Sequence, residues 1–331
     1  MNLILHIGQP KTGTTSIQNI LQINKKILQE FGFLYDTNML NHQPIFQMIK
    51  EDLNPNKKLL EFVENQKKLA KEKKCHSIII SSETLFEEDK SFLNNLVKLF
   101  ELNIKVIVYL KRQDLYLESI WKQWHFKNKH YKDFNDFSKK FKLPDYYNVL
   151  KKWEDIVKKE NIVVIPFEKK NFNDGLLKHF LITIGVPNNK ISSINFVIPK
   201  TMFGTNQGLS SKGLEFAFLV RDFAKSPLDY KIENFIHEYL DDVFHKDFFA
   251  SYGLFNIAER KTYIHQWIKT NQKIALKYLK REIFFEEEVI EDEITSGIEI
   301  EDVAKVVMAL GMNMKDKLDS LEKAIKDVQN D

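Results

Sequence analysis

Short apolar runs alternate with amphipathic stretches along the first half of the chain. The runs are rich in Ile and Val and predict four buried parallel strands: Asn2–Ile7, Ser77–Ser81, Lys105–Leu110 and Ile162–Ile165. Stretches of helical periodicity predict helices over Thr14–Glu30, Lys57–Lys73, Lys90–Phe100, Leu115–Lys129, Tyr147–Lys159 and Asp174–Ile184. Strands that alternate with helices of this length indicate an α/β fold, a P-loop-type parallel sheet flanked by helices.

The second half of the chain is predicted to be mainly helical. Aromatic-rich helical patterns run to about Phe285, and an acidic run then leads into an amphipathic helix. Apolar residues recur in that helix at heptad spacing: Val307, Met314, Leu321 and Val328. We therefore expect an α/β domain over 1–285, followed by an acidic linker and an amphipathic C-terminal helix over 286–331. That helix either packs on its own chain or pairs with a second copy in a homodimer.

Composition excludes some classes of function. The 331 residues carry 49 basic and 46 acidic side chains, so the formal net charge of +3 predicts no nucleic-acid partner. The single cysteine, Cys75, cannot form an intrachain disulfide, which is typical of a cytoplasmic protein. No apolar stretch approaches the roughly 20 residues of a transmembrane helix. The sequence is also compatible with a substrate that lies at a membrane surface.

The loop after the first strand carries the strongest chemical signal. In "HIGQPKTGTTSIQ" two glycines permit a tight turn, and the amides at the start of the next helix face an anion together with hydroxyls and one lysine. The predicted anion-binding residues are Gly8, Lys11, Thr12, Gly13, Thr14, Thr15 and Ser16. The spacing is close to that of a P-loop, G-x-x-x-x-G-K-[ST], but Thr14 stands where that motif has its lysine.

Two classes of protein with a similar fold are kept as alternative interpretations: a Mg²⁺-dependent P-loop kinase and a non-catalytic scaffold. A Mg²⁺-dependent P-loop kinase would use a lysine at position 14 and an aspartate for the metal, whereas the second strand here ends in Ser81-Ser82-Glu83. No His, Cys or Asp cluster has the spacing of metal ligands, so we predict no metal site. A non-catalytic scaffold with this fold is the second alternative, although the intact charged residues disfavour it.

The loop resembles the 5′-phosphosulfate-binding loop of sulfotransferases that use 3′-phosphoadenosine 5′-phosphosulfate (PAPS). Four further segments resemble bacterial carbohydrate-type members of that family in the same order: "YLKRQDLYLESIWKQ", "VLKKWEDIV", "VVIPFEKKNFNDGLLKHFLITIGVP" and "TNQGLSSKGLEFAFLVRDF". The resemblance covers roughly residues 2 to 285. It implies sulfuryl transfer from PAPS to a hydroxyl of a glycan, with adenosine 3′,5′-bisphosphate as product. It also implies that Lys11 assists the leaving phosphate, which Gly13, Thr14 and Thr15 hold.

The end of the third strand provides a second basic position. Arg112 and Ser119 are separated by about two helical turns, so both side chains can face one ligand. A guanidinium and a hydroxyl suit the 3′-phosphate of the donor. In the family the equivalent pair is one residue further apart, and by that count Lys111 matches instead. Distance from the strand favours Arg112.

Two residues are candidates for the base that takes the proton of the acceptor hydroxyl. Glu83 closes the second strand, and His42 follows a short apolar run. One branch of the family has a His where Glu83 stands, and another has a Glu nearer His42. Glutamate needs burial to be an efficient base at neutral pH, and the end of a buried strand provides it. We therefore favour Glu83, with His42 sharing the role or orienting the acceptor.

Overall fold

The computed structural model describes residues 1–193, 209–240, 252–287, 293–294 and 299–330. Contacts divide the chain into two units. The first comprises Met1–Tyr116, Leu143–Phe203 and Tyr263–Glu288, and the second comprises Leu117–Lys142, Gly204–Thr262 and Val289–Asp331. The division expected from the sequence, 1–285 and 286–331, stays a prediction.

The first unit is built on a five-stranded sheet. Its strands are β1 (Asn2–His6), β2 (Phe33–Leu34), β3 (Ser77–Ser81), β4 (Asn103–Leu110) and β5 (Ile162–Pro166). Their order is β2-β3-β1-β4-β5, and every neighbouring pair is parallel. The predicted parallel sheet flanked by helices is confirmed. Because β1 is central, the loop that follows it begins between the carboxyl ends of β3 and β4.

Helices account for most of the remaining described residues. In chain order they are α1 (Thr14–Ile23), α2 (Lys25–Glu30), α3 (Gln43–Glu51), α4 (Pro55–Glu72), α5 (Lys90–Phe100), α6 (Gln113–Gln123), α7 (Phe134–Lys140), α8 (Tyr146–Glu154), α9 (Leu176–Ile184), α10 (Asn188–Ser193), α11 (Ser211–Leu219), α12 (Lys231–Tyr239), α13 (Ile257–His265), α14 (Ile268–Ile274) and α15 (Ile300–Asn330). A short pair of strands, β6 (Tyr252–Gly253) and β7 (Glu293–Ile294), lies in the second unit. None of the described helices combines the length and the apolar character needed to cross a bilayer.

Both faces of the sheet are covered by helices. Leu3 and Leu5 of β1 are fully buried in a cluster with side chains of α3, α4, α5 and α8, among them Trp153. Ile4 points to the other face and packs in a cluster with side chains of α1 and α9, among them Phe180. Strands that are buried on both faces need apolar residues at successive positions. This requirement explains why the strands are visible in the sequence as unbroken apolar runs.

Helix ends differ from the predicted boundaries where the backbone departs from α-helical geometry. The stretch Thr14–Glu30 is two helices, separated at Asn24, whose side-chain amide donates to the carbonyl of Ile20 at 2.9 Å. The predicted helix Leu115–Lys129 ends at Gln123, and a single 3₁₀ turn follows it. Helices α3 and α7 are not predicted from the sequence.

The second unit contains its own buried charges. Arg260 pairs with Glu118 at 2.9 Å, and the Glu118 carboxylate also accepts the backbone N–H groups of Leu254 and Phe255. Within this unit α15 packs through an ion pair between Asp302 and Lys212 at 2.8 Å. Its heptad residues Val307, Met314 and Leu321 are 63%, 66% and 60% exposed, so they form an uncovered apolar stripe. The side chain of Val328 lies outside the described part of the chain.

We predict that the core of the first unit depends on Leu150 of α8, which is fully buried. Leu150→Ala is expected to lower the free energy of unfolding by about 2–5 kcal/mol, because it removes apolar contacts and leaves a cavity. Leu53→Ala is the matched control: Leu53 is fully exposed, and a change within about 0.5 kcal/mol is expected. Urea denaturation followed by circular dichroism measures the free energy of unfolding of both variants. Equal losses of that free energy would contradict the role of Leu150 in the core.

Candidate active site

The loop from Gly8 to Gly13 connects β1 to α1 and has a tightly determined shape. A Cβ atom on Gly8 would lie 2.4 Å from Cγ2 of Thr14, and one on Gly13 would lie 2.4 Å from Cδ2 of Leu176. Gly13 has a φ of 74°, and Lys11 also adopts the left-handed conformation, with a φ of 67°. A lysine in this region is uncommon, and such residues cluster at ligand sites.

The amino terminus of α1 follows the loop directly. Gly13 is its N-cap and supplies no side-chain hydrogen bond. The first amides of a helix lack intrahelical partners, and the helix dipole makes this end attractive to an anion. Thr15 and Ser16 are half-buried in the first turn. The loop and the helix start therefore form the kind of backbone cradle that binds phosphate groups.

The structure brings together three of the predicted site residues: Lys11, Thr14 and Glu83. The Thr14 hydroxyl donates a hydrogen bond to the Glu83 carboxylate. Glu83 begins a 3₁₀ turn immediately after β3 and lies close enough to Lys11 for their charges to interact. Glu83, a candidate base, and Lys11, the candidate cation for the leaving phosphate, thus lie in one site although they are far apart in the sequence.

Burial changes the proton affinities of both charged groups. Burial raises the pKa of Glu83 above its usual range, while the Thr14 hydrogen bond and the Lys11 charge act in the opposite direction. Burial lowers the pKa of Lys11, and the negative charge of Glu83 opposes that change. A carboxylate with a raised pKa is a better proton acceptor near neutral pH than an exposed one.

Thr12 shapes the loop. It is fully buried, and its hydroxyl donates to the carbonyl of Gln9 at 2.6 Å. The Gln9 side chain, also fully buried, donates to the Tyr146 hydroxyl at 2.5 Å and accepts the Lys111 N–H at 2.8 Å. The Tyr146 hydroxyl in turn donates to the Lys111 carbonyl at 2.9 Å. These bonds fasten the loop to the end of β4 and to α8.

Sequence reasoning missed Gln9 and Tyr146. Glutamine in a loop and tyrosine at a helix start carry no distinctive spacing, so the sequence contains no signal that joins them. The parallel pairing of β1 with β4 brings Gln9 beside Lys111, and the start of α8 brings Tyr146 to both residues.

Arg112 is held by an acidic neighbour. The side chain is only 8% exposed, and its guanidinium forms two hydrogen bonds to the Asp114 carboxylate, at 2.7 and 3.0 Å. A third N–H donates to the carbonyl of Glu287 at 3.0 Å. Arg112 thus lies at the end of β4 as predicted, with part of its donor set engaged. Ser119 lies half-buried in α6, and Lys111 is half-buried.

His42 lies in the core. It is fully buried, its ring packs edge-on against Tyr35 and Phe62, and its Nδ1 accepts the Ser81 N–H at 3.3 Å. Burial lowers the pKa of His42 to about 4. Among the described contacts, none joins His42 to Lys11, Thr14 or Glu83. The structure places Glu83, and not His42, beside the start of α1 and near Lys11.

Comparisons with known proteins give limited similarity. No family model matches the chain. An uncharacterized protein of Archaeoglobus fulgidus is 27% identical over 222 residues, which are 65% of this chain and 57% of the relative. The chain therefore spans little more than half the length of that curated relative.

Two solved structures are also similar. They are a sulfotransferase from Alicyclobacillus acidocaldarius and the sulfotransferase domain of the Synechococcus PCC 7002 olefin synthase, each 11% identical, with TM-scores of 0.32 and 0.33. The alignments cover 79% and 81% of this chain and 95% and 94% of those chains.

We predict that the Thr14 hydroxyl lowers the pKa of Glu83. Thr14→Val removes the hydrogen bond that favours the charged carboxylate, so the Glu83 pKa is expected to rise further. Titration of the ¹³C-labelled Glu83 carboxyl by NMR measures this shift. Thr15→Val is the control, since in the described structure no hydrogen bond joins Thr15 to Glu83. A rise of equal size in both variants would contradict a specific Thr14–Glu83 bond.

Proposed function

We propose that the chain is a sulfotransferase that moves a sulfuryl group from PAPS to a hydroxyl. The observation that carries the proposal is the cluster of Lys11, Thr14 and Glu83 at the start of α1. The amide cradle fits the 5′-phosphate of PAPS because it combines an N-terminus without a side-chain cap with a cation in the same loop. Gly8, Thr12 and Gly13 shape the cradle, and Thr15 and Ser16 lie in its first helical turn.

Each charged residue has a defined role in the proposed reaction. The acceptor oxygen forms a bond to sulfur while the bond from sulfur to the bridging phosphate oxygen breaks. The Glu83 carboxylate receives the proton of the acceptor hydroxyl. The Lys11 ammonium neutralises the charge that develops on the phosphate of the leaving adenosine 3′,5′-bisphosphate. Geometry favours Glu83 over His42 as the base, because Glu83 contacts Thr14 at the start of α1 and His42 packs against aromatic rings.

Other parts of the proposal depend on the sequence. Arg112 is proposed to bind the 3′-phosphate with the N–H groups that Asp114 and Glu287 leave available, and Lys111 is the alternative. Ser119 remains a prediction for the same phosphate.

A glycan acceptor follows from the family resemblance alone. The uncovered stripe on α15 supports a homodimer through that helix. A cytoplasmic location rests on the single cysteine, and an acceptor at a membrane surface remains compatible with the proposal.

We expect adenosine 3′,5′-bisphosphate to stabilise the protein in the absence of Mg²⁺. At a hundredfold excess over Kd, a single site should raise Tm by roughly 5 °C, since ligand binding to the folded state adds about 2.7 kcal/mol. Thermal-shift titrations with this nucleotide, and with ATP in the presence and absence of Mg²⁺, distinguish the proposed classes. A larger shift with Mg²⁺-ATP would favour the kinase, and no shift with either nucleotide would favour the scaffold.

We further expect Lys11→Met to reduce turnover by roughly 10²- to 10³-fold, because one preorganised positive charge is removed from the transition state. Methionine keeps the apolar stem, so the fold should persist. Lys98→Met, at an exposed position of α5, is the control and should retain activity. Transfer of labelled sulfate from PAPS to a panel of glycans measures the rates. Unchanged turnover in Lys11→Met would refute the role of the lysine.

A further inference from the structure

A chain of hydrogen-bonded polar side chains lies buried beside the candidate active site. Ser81 Oγ is 2.8 Å from His6 Nδ1 and accepts the Gln18 side-chain N–H at 3.1 Å. The side-chain oxygen of Gln18, Oε1, accepts the side-chain N–H of Asn41 at 3.0 Å. Asn41 Oδ1 in turn accepts the backbone N–H of Gln43 at 3.0 Å. His6, Gln18 and Ser81 are almost completely inaccessible to solvent.

One backbone group sets the direction of the hydrogen bonds from Gln43 through Asn41 and Gln18 to Ser81. The N–H of Gln43 can only donate, so Asn41 presents its oxygen there and its NH₂ to Gln18. Gln18 must then accept with its oxygen and donate with its NH₂ to Ser81. The Ser81 hydroxyl also contacts His6 Nδ1, and the tautomer of the His6 ring decides which of these two atoms donates.

The backbone of Ser81 is held as firmly as its side chain. Its backbone N–H donates to the ring Nδ1 of His42 at 3.3 Å, and its carbonyl accepts the backbone N–H of His42 at 2.9 Å. The next residue, Ser82, donates its N–H to the carbonyl of His6 at 3.1 Å. Burial keeps both rings neutral, with the pKa of His6 lowered to about 3 and that of His42 to about 4. The neutral His42 ring can therefore accept the Ser81 N–H with its Nδ1.

Glu83 follows this clamped residue by only two positions. At about 3.8 Å per residue, a shift of Ser81 is transmitted to Glu83 with little slack. The Glu83 carboxylate is held by Thr14 and faces the charge of Lys11, and it also affects Tyr116 electrostatically. A misplaced carboxylate would lose the Thr14 hydrogen bond first, because that bond requires close contact.

We propose that His6, Gln18, Asn41 and His42 form a positioning network that clamps Ser81 and thereby holds the Glu83 carboxylate against Thr14. His42 is then a positioning residue and not the base. The catalytic consequence rests on the proposed function of Glu83. The placement of the carboxylate does not, and it can be measured in the absence of substrate.

Strand β3 offers a matched pair of variants. Ser81→Ala removes the clamped hydroxyl at the carboxyl end of the strand. Ser77→Ala makes the same change at its amino end, where the buried Ser77 hydroxyl also contacts a histidine Nδ1, that of His76, at 2.9 Å and an amide, that of Asn2, at 3.4 Å. The two variants therefore lose the same kind of bonds from the same strand.

The measurement is the rise in Glu83 pKa caused by Thr14→Val, observed by ¹³C NMR in each background. We expect the rise to persist with Ser77→Ala and to disappear with Ser81→Ala. An equal rise in both backgrounds would overturn the network, and so would the absence of any rise in the otherwise wild-type protein. If Ser81→Ala does not fold, Gln18→Met replaces it, because it removes the donor to Ser81.

Turnover provides the second reading. Ser81→Ala should lower kcat roughly tenfold, as expected for a displaced catalytic group, and should have no further effect when Glu83 is already glutamine. A further tenfold loss in the Glu83→Gln background would mean that Ser81 does not act through Glu83. A protein that transfers no sulfuryl group at all would refute the proposed function while leaving the pKa result intact.

Discussion

A half-buried carboxylate at the end of β3, that of Glu83, is the constraint on which the candidate site depends. Partial burial of Glu83 disfavours its charged form, and within the described contacts the Thr14 hydroxyl and the Lys11 ammonium oppose that effect. Thr14 can reach it because α1 starts directly after Gly13, and Lys11 can interact with it because the loop turns through a left-handed conformation. The shape of the loop and the charge balance of the site therefore require each other.

Polar groups fasten this site to the sheet on two sides. On the β4 side, Gln9 and Tyr146 bind both backbone groups of Lys111. On the β3 side, His6 and His42 hold Ser81. Apolar contacts alone would tolerate small displacements of the loop, whereas hydrogen bonds with fixed directions do not. Such a scaffold suits the proposed reaction, which needs a proton acceptor and a cation for the leaving phosphate at fixed positions.

Much of the fold could be predicted from the sequence, because strands buried on both faces require continuous apolar residues. The run Ser77–Ser81 shows this directly, and the helix Lys90–Phe100 has the predicted bounds. Among the site residues, positions just after strands predict Lys11, Thr14 and Glu83, and the structure brings these three together. The sequence predicts that Thr12 faces a ligand, but its hydroxyl donates to the Gln9 carbonyl within the loop. His42 follows a short strand as expected, yet its ring is enclosed in the core.

The sequence alone predicts the succession of strands and helices, the position of the glycines and lysine in the first loop, and the polar residues at the strand ends. These features depend on local spacing and on the burial that each element requires. The folded chain is needed to show that the Thr14 hydroxyl meets Glu83 and that His6 and His42 hold Ser81. These hydrogen bonds join residues of separate strands and helices, so their partners are set by the order and register of the sheet.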